Sequence, residues 1–160
     1  MDETKGELMS LESVRAYLAE HAPDICIIET QASTATVAEA AAAHGVEPGQ
    51  IAKTLSFRVG DRILLLVTSG DARLDNSKAK AAFGGKVKML DREEVEVVTG
   101  HPVGGVCPFG LASPLPIYCD ETLRAYPIVI PAAGARNAAL RIEPGRLAKI
   151  TAAEWVDVCQ

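Results

Sequence analysis

The sequence predicts an α+β domain in which a mixed β-sheet is flanked by helices. Its 160 residues, 48% of them hydrophobic, are enough to enclose one core. Residues 51–59 alternate in polarity, and after the turn signal Gly60-Asp61 an apolar run over 62–68 predicts the second strand of a hairpin. Helix-like and strand-like segments mix without strict βαβ alternation, which favours α+β over a doubly wound parallel fold.

The chain before this hairpin predicts a lead, two helices and a short strand. Residues 1–9 are polar and are expected to be a disordered lead, so that 10–160 form the domain. The predicted elements are a helix over Leu11–Glu20 capped by Ser10, a strand over Ile25–Ile28, and an alanine-rich helix opened by a Thr36/Glu39 capping box and ended at His44-Gly45.

After the hairpin, short helices and strands alternate up to the end of the chain. We first predict a helix capped by Asp75 or Asn76 and ending at Phe83, a strand over Val87–Leu90, and a helix from Asp91 through Val98. A loop over Gly100–Gly110, a strand over Pro116–Cys119 and a short helix over Asp120–Arg124 follow. The chain then has strands over Ile128–Ile130 and Ala138–Ile142, a short helix from Pro144, and a last helix capped by Thr151 and Glu154 that carries Trp155.

Composition excludes several classes of protein. No stretch approaches the ~20 apolar residues of a membrane span, and the acidic start does not resemble a signal peptide. The four cysteines lie far apart without a C-x-x-C pair, so neither zinc nor a disulfide framework is expected. A formal net charge of −5 argues against a dedicated nucleic-acid binder. These features predict a cytoplasmic, reduced, soluble protein without a metal or other cofactor.

Lys53 stands out in the first strand of the hairpin. With a two-residue period it shares a face with Ile51, Leu55, Phe57 and Val59. A charged side chain there is costly unless it is paired, reaches water or lines a cavity. Two interpretations remain open, which are a lysine that extends to solvent near the end of the strand and a lysine that projects into a binding pocket.

The segment Gly100–Gly110 contains four glycines and two prolines. Glycines let backbone N–H groups come close to a ligand, while prolines stiffen the loop. Such N–H groups can bind an oxyanion or a carbonyl oxygen. An ordinary tight connection between two elements explains the same composition.

Three segments in this order resemble the YbaK family of aminoacyl-tRNA editing proteins, which includes the editing domain inserted in bacterial prolyl-tRNA synthetases. The similarity extends from about Leu11 to Ile150, and it includes the helix from Thr36 to His44. The segments are Gln50-Ile-Ala-Lys-Thr-Leu55, Ser69-Gly-Asp-Ala-Arg-Leu-Asp75 and Gly104-Gly-Val-Cys-Pro-Phe-Gly110.

The resemblance implies a compact domain with a partly barrel-like sheet that hydrolyses mischarged aminoacyl-tRNA in trans. It implies that Lys53 lies beside the aminoacyl-adenosine end of the tRNA. It also implies that the G-x-x-x-P loop, with Gly104, Gly105 and Pro108, polarises or positions the ester through its backbone. No metal and no covalent protein nucleophile are implied. An aminoacyl ester is already activated, so orientation and charge stabilisation could suffice, with water or a group of the substrate as the attacker.

Other residues near these motifs have both structural and functional interpretations. Asp71 belongs to a turn or sits opposite Lys53 at the pocket mouth, and Thr34 and Thr36 are helix caps or face the terminal adenosine. His101 is a loop or pocket-edge residue. Cys107 is a small pocket-lining residue, unless it is the nucleophile of a cysteine hydrolase with His101 as its base. The candidate substrate-binding residues are therefore Thr34, Thr36, Asp71, His101, Val106, Cys107 and Phe109.

Three functions remain on the sequence alone, namely an aminoacyl-tRNA deacylase, a non-catalytic module that binds tRNA or a synthetase, and a cysteine-dependent hydrolase. Basic residues cluster in two runs that are either solvated faces or RNA contacts. From these runs Lys78, Lys80 and Arg136 are the candidate tRNA-binding residues. The expected partners are mischarged tRNA and an aminoacyl-tRNA synthetase, with no membrane and no DNA. Alanine, cysteine, serine and threonine are all suitable amino acids.

Overall fold

The structure, a computed structural model, describes residues 3–160. Within this range, eight strands and five α-helices are connected by loops and by two 3₁₀ turns, at Pro48–Gln50 and Glu121–Ala125. In chain order these elements are α1 (Glu3–His21), β1 (Ile28–Glu29), α2 (Val37–His44), β2 (Ile51–Val59), β3 (Arg62–Ser69), α3 (Asn76–Phe83), β4 (Val87–Met89), α4 (Arg92–Thr99), β5 (Ile117–Asp120), β6 (Ile130–Pro131), β7 (Ala138–Ala139), α5 (Pro144–Thr151) and β8 (Glu154–Val156).

A mixed sheet of six strands forms the centre of the fold. Its order is β4-β2-β3-β5-β8, and β6 pairs in parallel with the start of β2. The β2–β3 hairpin is antiparallel and β5 and β8 are parallel additions, which confirms the mixed α+β class. Within the described residues the edge strands β4 and β8 do not pair with each other. The expectation of a partly barrel-like sheet is therefore wrong, because this sheet stays open.

The two faces of the hairpin pack against different layers. On one face, Phe57 and Val59 of β2 pack with Ala79 and Phe83 of α3. On the other face, the core contains Ala52 and Val67 together with residues of α1, α5 and the C-terminal half of the chain. Successive side chains of a strand point to opposite faces, so odd and even positions of β2 belong to different layers. This division decides which residues of β2 can reach the candidate site.

Helix caps confirm several of the predicted boundaries. The Thr36 hydroxyl accepts from Glu39 N–H, and the Glu39 carboxylate accepts from Thr36 N–H, so α2 begins with the predicted capping box. Asp75 caps α3 and Asp91 caps α4 through their carboxylates. Gly45 ends α2 in the left-handed conformation with a φ of 66°.

Helix α1 begins earlier than the sequence predicted. Ser10 does not cap it; Ser10 lies inside the helix, 2% exposed, with its hydroxyl bonded to a histidine of a distant loop. A buried tertiary partner thus replaces the local capping role that the sequence suggested. The expectation of a disordered lead over 1–9 stays a prediction for residues 1 and 2, which lie outside the described residues, whereas Glu3 is already helical.

The predicted C-terminal helix is also wrong. Trp155 lies in β8, which pairs in parallel with β5 at Cys119. The Thr151 hydroxyl donates back to the Leu147 carbonyl, so it ends α5 and does not cap a new helix. The predicted strand over Ile25–Ile28 shifts to Ile28–Glu29, where it pairs with β7.

Residues 3–160 contain no disulfide bond. All four cysteines are free thiols. In this range no helix is long and apolar enough to cross a lipid bilayer, and no group of three acidic, histidine or cysteine side chains is arranged to hold a metal ion.

Candidate active site

A cavity of about 330 Å³ opens beside the hairpin. It lies between the starts of α2 and α4, the strand β2, the strands β6 and β7, and the loop after α4. Its volume lies within the range of small-molecule sites. The lining residues are Thr34–Val37, Ala40, Ile51–Thr54, Ser56, Met89, Leu90, Arg92, Val95, Val103, Gly104, Val106, Ile130, Ala132, Ala138 and Ala139.

The lining is apolar at one end and cationic at its edges. Among the described lining residues there is no aspartate or glutamate, and the charged members are Lys53 and Arg92. The first residues of α2 and α4 also contribute to the wall, and helix N-termini carry partial positive charge. In a chain with a formal net charge of −5, this cavity is locally suited to an anionic ligand.

Lys53 contributes to the wall of the cavity, and its ammonium donates to the Ala72 carbonyl over 2.8 Å. Ala72 belongs to the segment after β3. The side chain of Lys53 leaves β2 on the face of Ile51, Leu55 and Phe57, and the cavity lining includes Ile51 and Lys53 of this face together with Ala52, Thr54 and Ser56 of the other. The partner of Lys53 in this structure is thus a backbone carbonyl at the edge of the site.

The edge of β2 is open at this point. β6 pairs with β2 only at Ile51 and Ala52, and β4 pairs with it only from Phe57 to Val59. Among residues 3–160, no strand pairs with Lys53–Ser56 on that side, although the Ser56 carbonyl accepts from Leu90 N–H. This gap lets the cavity reach the backbone of the lysine-bearing strand.

Sequence reasoning missed the even positions of this strand. Thr54 lines the cavity, and its Oγ1 is buried without a hydrogen-bond partner among the described residues. Ser56 lines the cavity from the same face, and Arg92 does so from the first turn of α4. The signal that could have found Thr54 and Ser56 is a pair of hydroxyl residues at alternate positions of the strand, which by itself is equally typical of a face turned to water.

The glycines of the G-x-x-x-P loop have different surroundings. Gly104 lines the cavity with a φ of 97°, and a Cβ there would lie 2.8 Å from the Cβ of Ala35. Gly105 is buried, and its N–H donates to the Pro102 carbonyl. A Cβ at Gly105 would lie 2.7 Å from the backbone nitrogen of Ala135. Gly104 therefore borders the site, whereas Gly105 lets the loop approach the neighbouring segment.

Gly105 N–H is bonded, but other amides of this loop have no hydrogen-bond partner among the described residues. No hydrogen bond within the described residues uses the N–H of Gly104 or of Val106, and both residues line the cavity. Pro108 is buried and lies outside the lining. Of the predicted glycine pair, Gly104 thus keeps an unbonded N–H beside the cavity, as do Val103 and Val106, whereas Gly105 does not.

His101 lies in the core and not at the pocket edge. It is 1% exposed, its Nε2 lies 2.7 Å from the Phe109 carbonyl, and its Nδ1 bonds to Ser10 Oγ. Burial lowers the pKa of His101, an effect that its hydrogen bond to Phe109 opposes. Its expected contact with substrate is therefore corrected to a structural contact within the loop.

Cys107 is also buried, and burial raises the pKa of its thiol to about 12. Its Sγ lies 3.6 Å from His101 Nε2, which is already directed at the Phe109 carbonyl. A reactive cysteine needs a thiolate in an accessible, electropositive setting, and Cys107 has neither. Neither Cys107 nor the fully buried Phe109 lines the cavity, which corrects both expected substrate contacts.

The other predicted substrate residues divide between the cavity and the fold. Thr34 and Thr36 line the cavity as expected; Thr36 is the cap of α2, and the Thr34 hydroxyl donates to the Arg136 carbonyl. Asp71 lies outside the lining and accepts from the Ser69 hydroxyl. Its turn role is thus the one that the structure supports.

The candidate tRNA-binding residues lie in two places. Lys78 and Lys80 are on α3, which packs against Phe57 and Val59 of β2 and contributes no residue to the cavity lining. Lys78 is bonded to Asp157 and to the Cys159 carbonyl. Arg136 lies next to Gly104 and pairs with Glu7 of α1. The three residues therefore do not form one patch.

Comparisons with known proteins agree with this architecture. The family model for the aminoacyl-tRNA editing domain matches residues 31–150. The chain is 44% identical to the uncharacterized protein YwhH of Bacillus subtilis, covering 95% of this chain and 98% of that one. It is 32% identical to the "putative Cys-tRNA(Pro)/Cys-tRNA(Cys) deacylase EbsC" of Enterococcus faecalis, covering 81% and 79%.

A solved structure shows the same fold over almost the whole chain. The crystal structure of "a putative trans-editing enzyme for prolyl tRNA synthetase" superposes with a TM-score of 0.88 at 39% identity, covering 94% of this chain and 97% of that one. The fold and cavity define an α+β domain with a cationic, carboxylate-free pocket. The chain belongs to the aminoacyl-tRNA editing domain family, so the resemblance to YbaK proteins is confirmed.

Proposed function

We propose that this protein is a trans-acting deacylase that hydrolyses the ester of mischarged aminoacyl-tRNA and releases the amino acid and intact tRNA. The observation that carries this proposal is the cavity itself. It has free loop amides at Gly104 and Val106, cations at its edge and no carboxylate among the described lining residues. The 3′ end of a charged tRNA presents a phosphate, a ribose and an ester carbonyl, which are groups that such a lining can bind.

The apolar end of the cavity suits a small amino acid. Alanine side chains at 40, 132, 138 and 139 and the aliphatic chains of Ile51, Ile130 and Val106 line it. These residues leave little polar surface for a charged or large polar substrate side chain. Alanine, cysteine, serine and threonine are the amino acids that we propose, with Thr54 as a hydroxyl at the same wall.

The chemistry requires positioning and charge stabilisation more than a protein nucleophile. A water molecule, hydrogen-bonded to the neighbouring ribose hydroxyl of the substrate, attacks the ester carbonyl, and the N–H groups of Gly104 and Val106 stabilise the oxyanion. The bond to the ribose oxygen then breaks, and this oxygen takes up the proton that the water has lost. Lys53 leaves the Ala72 carbonyl and binds a substrate phosphate or the developing negative charge. A cysteine mechanism has no support in the geometry, because the Cys107 thiol is buried and protonated at neutral pH.

Affinity for tRNA must come from few residues. With a net charge of −5 the domain attracts nucleic acid weakly, so a synthetase that holds the tRNA would raise the local substrate concentration. Relatives named for prolyl-tRNA synthetase and for deacylation of Cys-tRNA support tRNA as the substrate and a synthetase as a partner. We place this activity in the cytoplasm, where charged tRNA is used.

A deacylation panel tests the proposal. Purified protein at sub-stoichiometric concentration is incubated with tRNA charged with alanine, cysteine, serine or threonine, and the remaining ester is measured over time. Multiple turnovers on at least one of these substrates are expected, with correctly charged Pro-tRNA spared. Binding of charged tRNA without turnover would contradict the proposed deacylase activity and would favour a non-catalytic binding module.

A further inference from the structure

His101 is a fully buried histidine whose two ring nitrogens both have partners outside the cavity. The Phe109 carbonyl can only accept a hydrogen bond, so Nε2 carries the proton that is shared over 2.7 Å. Nδ1 is then an acceptor, and the Ser10 hydroxyl of α1 donates to it. One neutral tautomer therefore satisfies both partners of the ring, one from α1 and one from the loop. The proposed chemistry uses neither Ser10 nor His101.

We propose that Ser10 and His101 form a clamp between α1 and the loop Gly100–Gly110, and that this clamp positions the backbone donors of the deacylation site. The inference rests on the proposed function for its catalytic consequence. His101 is a positioning residue, because it touches neither the cavity nor a reacting atom. Its action passes through the Phe109 carbonyl, which follows the G-x-x-x-P segment directly.

Other contacts show that the loop is held at both ends. Ser13, one turn after Ser10, donates to the Gly110 carbonyl, and a Cβ at Gly110 would lie 2.5 Å from the Ser13 carbonyl oxygen. At the start of the loop, His101 N–H donates to the Thr99 hydroxyl. In the middle, Gly134 N–H donates to the Gly105 carbonyl. Of these anchors only His101 can change its proton count near neutral pH.

The clamp has a defined protonation requirement. An imidazolium at position 101 would carry a second N–H toward Ser10, so the serine would have to reverse its hydroxyl, and an unpaired charge would be buried. The titratable groups near the ring are the Cys107 thiol and, across the Phe109 ring, the Tyr17 hydroxyl, which donates to the Ile150 carbonyl. On α1, Glu7 is paired with Arg136. Burial lowers the pKa of His101, which agrees with a neutral ring in the folded protein.

Three variants test the clamp in the full-length protein. His101→Gln keeps an N–H donor for the Phe109 carbonyl but cannot be protonated, His101→Phe removes the donor, and His21→Gln is a matched control on an exposed histidine of α1. For His101→Phe we expect kcat to fall by about 10- to 100-fold with KM within about 2-fold, because a misplaced donor costs transition-state stabilisation and not binding. For His101→Gln we expect most of kcat to remain and the acidic limb of the kcat–pH profile to disappear.

A structural measurement separates this inference from the proposed function. In wild-type protein, the amide resonances of Gly104 and Val106 should shift together with the protonation of His101, and they should shift at fixed pH in Ser10→Ala. If wild-type protein turns over no charged tRNA, the proposed function fails while these spectra still test the clamp. An unchanged acidic limb in His101→Gln, normal kcat in His101→Phe, or loop amides insensitive to both Ser10→Ala and His101 protonation would each overturn the clamp.

Discussion

The ammonium of Lys53 lies 2.8 Å from the carbonyl oxygen of Ala72, at the edge of a cavity that its neighbour Thr54 faces directly. The two residues are adjacent in β2, so their side chains leave the strand on opposite faces. Lys53 is thereby held at the open edge of the strand by a neutral partner. A carbonyl binds an ammonium less strongly than a phosphate or an oxyanion does, so substrate can displace it.

Lys53→Ala is expected to leave the fold intact and to reduce deacylation by at least ~10²-fold, because a cation that acts in the transition state contributes a few kcal/mol. Single-turnover rates with mischarged tRNA measure this directly. Lys53→Arg is the informative companion, since it keeps the charge but not the compact ammonium geometry. Near-normal rates in Lys53→Ala would remove Lys53 from the mechanism.

Gly105→Val is expected to abolish deacylation, and Cys107→Ala is expected to retain most of it. The valine side chain would meet the backbone of Gly134 and Ala135 and would push the loop out of position. Loss of one oxyanion donor typically costs ~2.7–4 kcal/mol in kcat. Folding of both variants is checked by circular dichroism. An acyl-thioester trapped on Cys107, or a Cys107→Ala variant as inactive as Lys53→Ala, would contradict the backbone mechanism and support a cysteine-dependent hydrolase.

Contacts with tRNA are expected to depend on Arg136 more than on Lys78 or Lys80. Arg136 borders Gly104 of the cavity wall, whereas Lys78 and Lys80 lie on α3, which contributes no residue to the cavity lining. Arg136→Gln should raise KM for tRNA and reduce the slope of log K against log salt by about 1, the value for one phosphate contact. Lys80→Gln is the matched control. If neutralising all three residues leaves both KM and the salt slope unchanged, none of them binds tRNA.

Thr54→Val is expected to preserve or raise stability while weakening substrate binding. The Thr54 hydroxyl is buried without a partner among the described residues, so replacing it with a methyl of similar shape removes a desolvation cost of about 1–3 kcal/mol. Chemical denaturation measures the free energy of unfolding, and steady-state kinetics measure KM. Clear destabilisation would show that the hydroxyl has a partner in solution.

Stability is expected to fall as the pH drops below about 6.5. Burial lowers the pKa of His101 in the folded state, so the unfolded chain binds its proton first and stability is lost through the folded pKa. The slope for one proton is about 1.4 kcal/mol per pH unit. The difference between wild type and His101→Gln isolates this contribution from His44, whose pKa burial and Arg141 also lower. Parallel stability–pH curves for the two proteins would contradict it.

Local sequence signals predicted most of the elements because their causes are local. The hairpin follows from alternation plus a Gly-Asp turn, and α2, α3 and α4 begin where Thr36, Asp75 and Asp91 cap them. The prediction failed where a distant partner decided the outcome. Ser10 was assigned as a cap, but a buried histidine on another loop bonds to it, and Trp155 was assigned to a helix, but β5 pairs with its segment.

For the site, the sequence by itself determined the family, the lysine-bearing strand and the glycine-rich loop, since each is a contiguous motif. Only the tertiary structure decided which residues of β2 line the cavity, that Gly105 N–H is already bonded, and that His101 and Cys107 are interior residues. The physical reason is that burial and hydrogen-bond satisfaction depend on elements far apart in the chain. Alternation along one strand defines two faces, but only the layers packed on them decide which residues of each face stay open to a ligand.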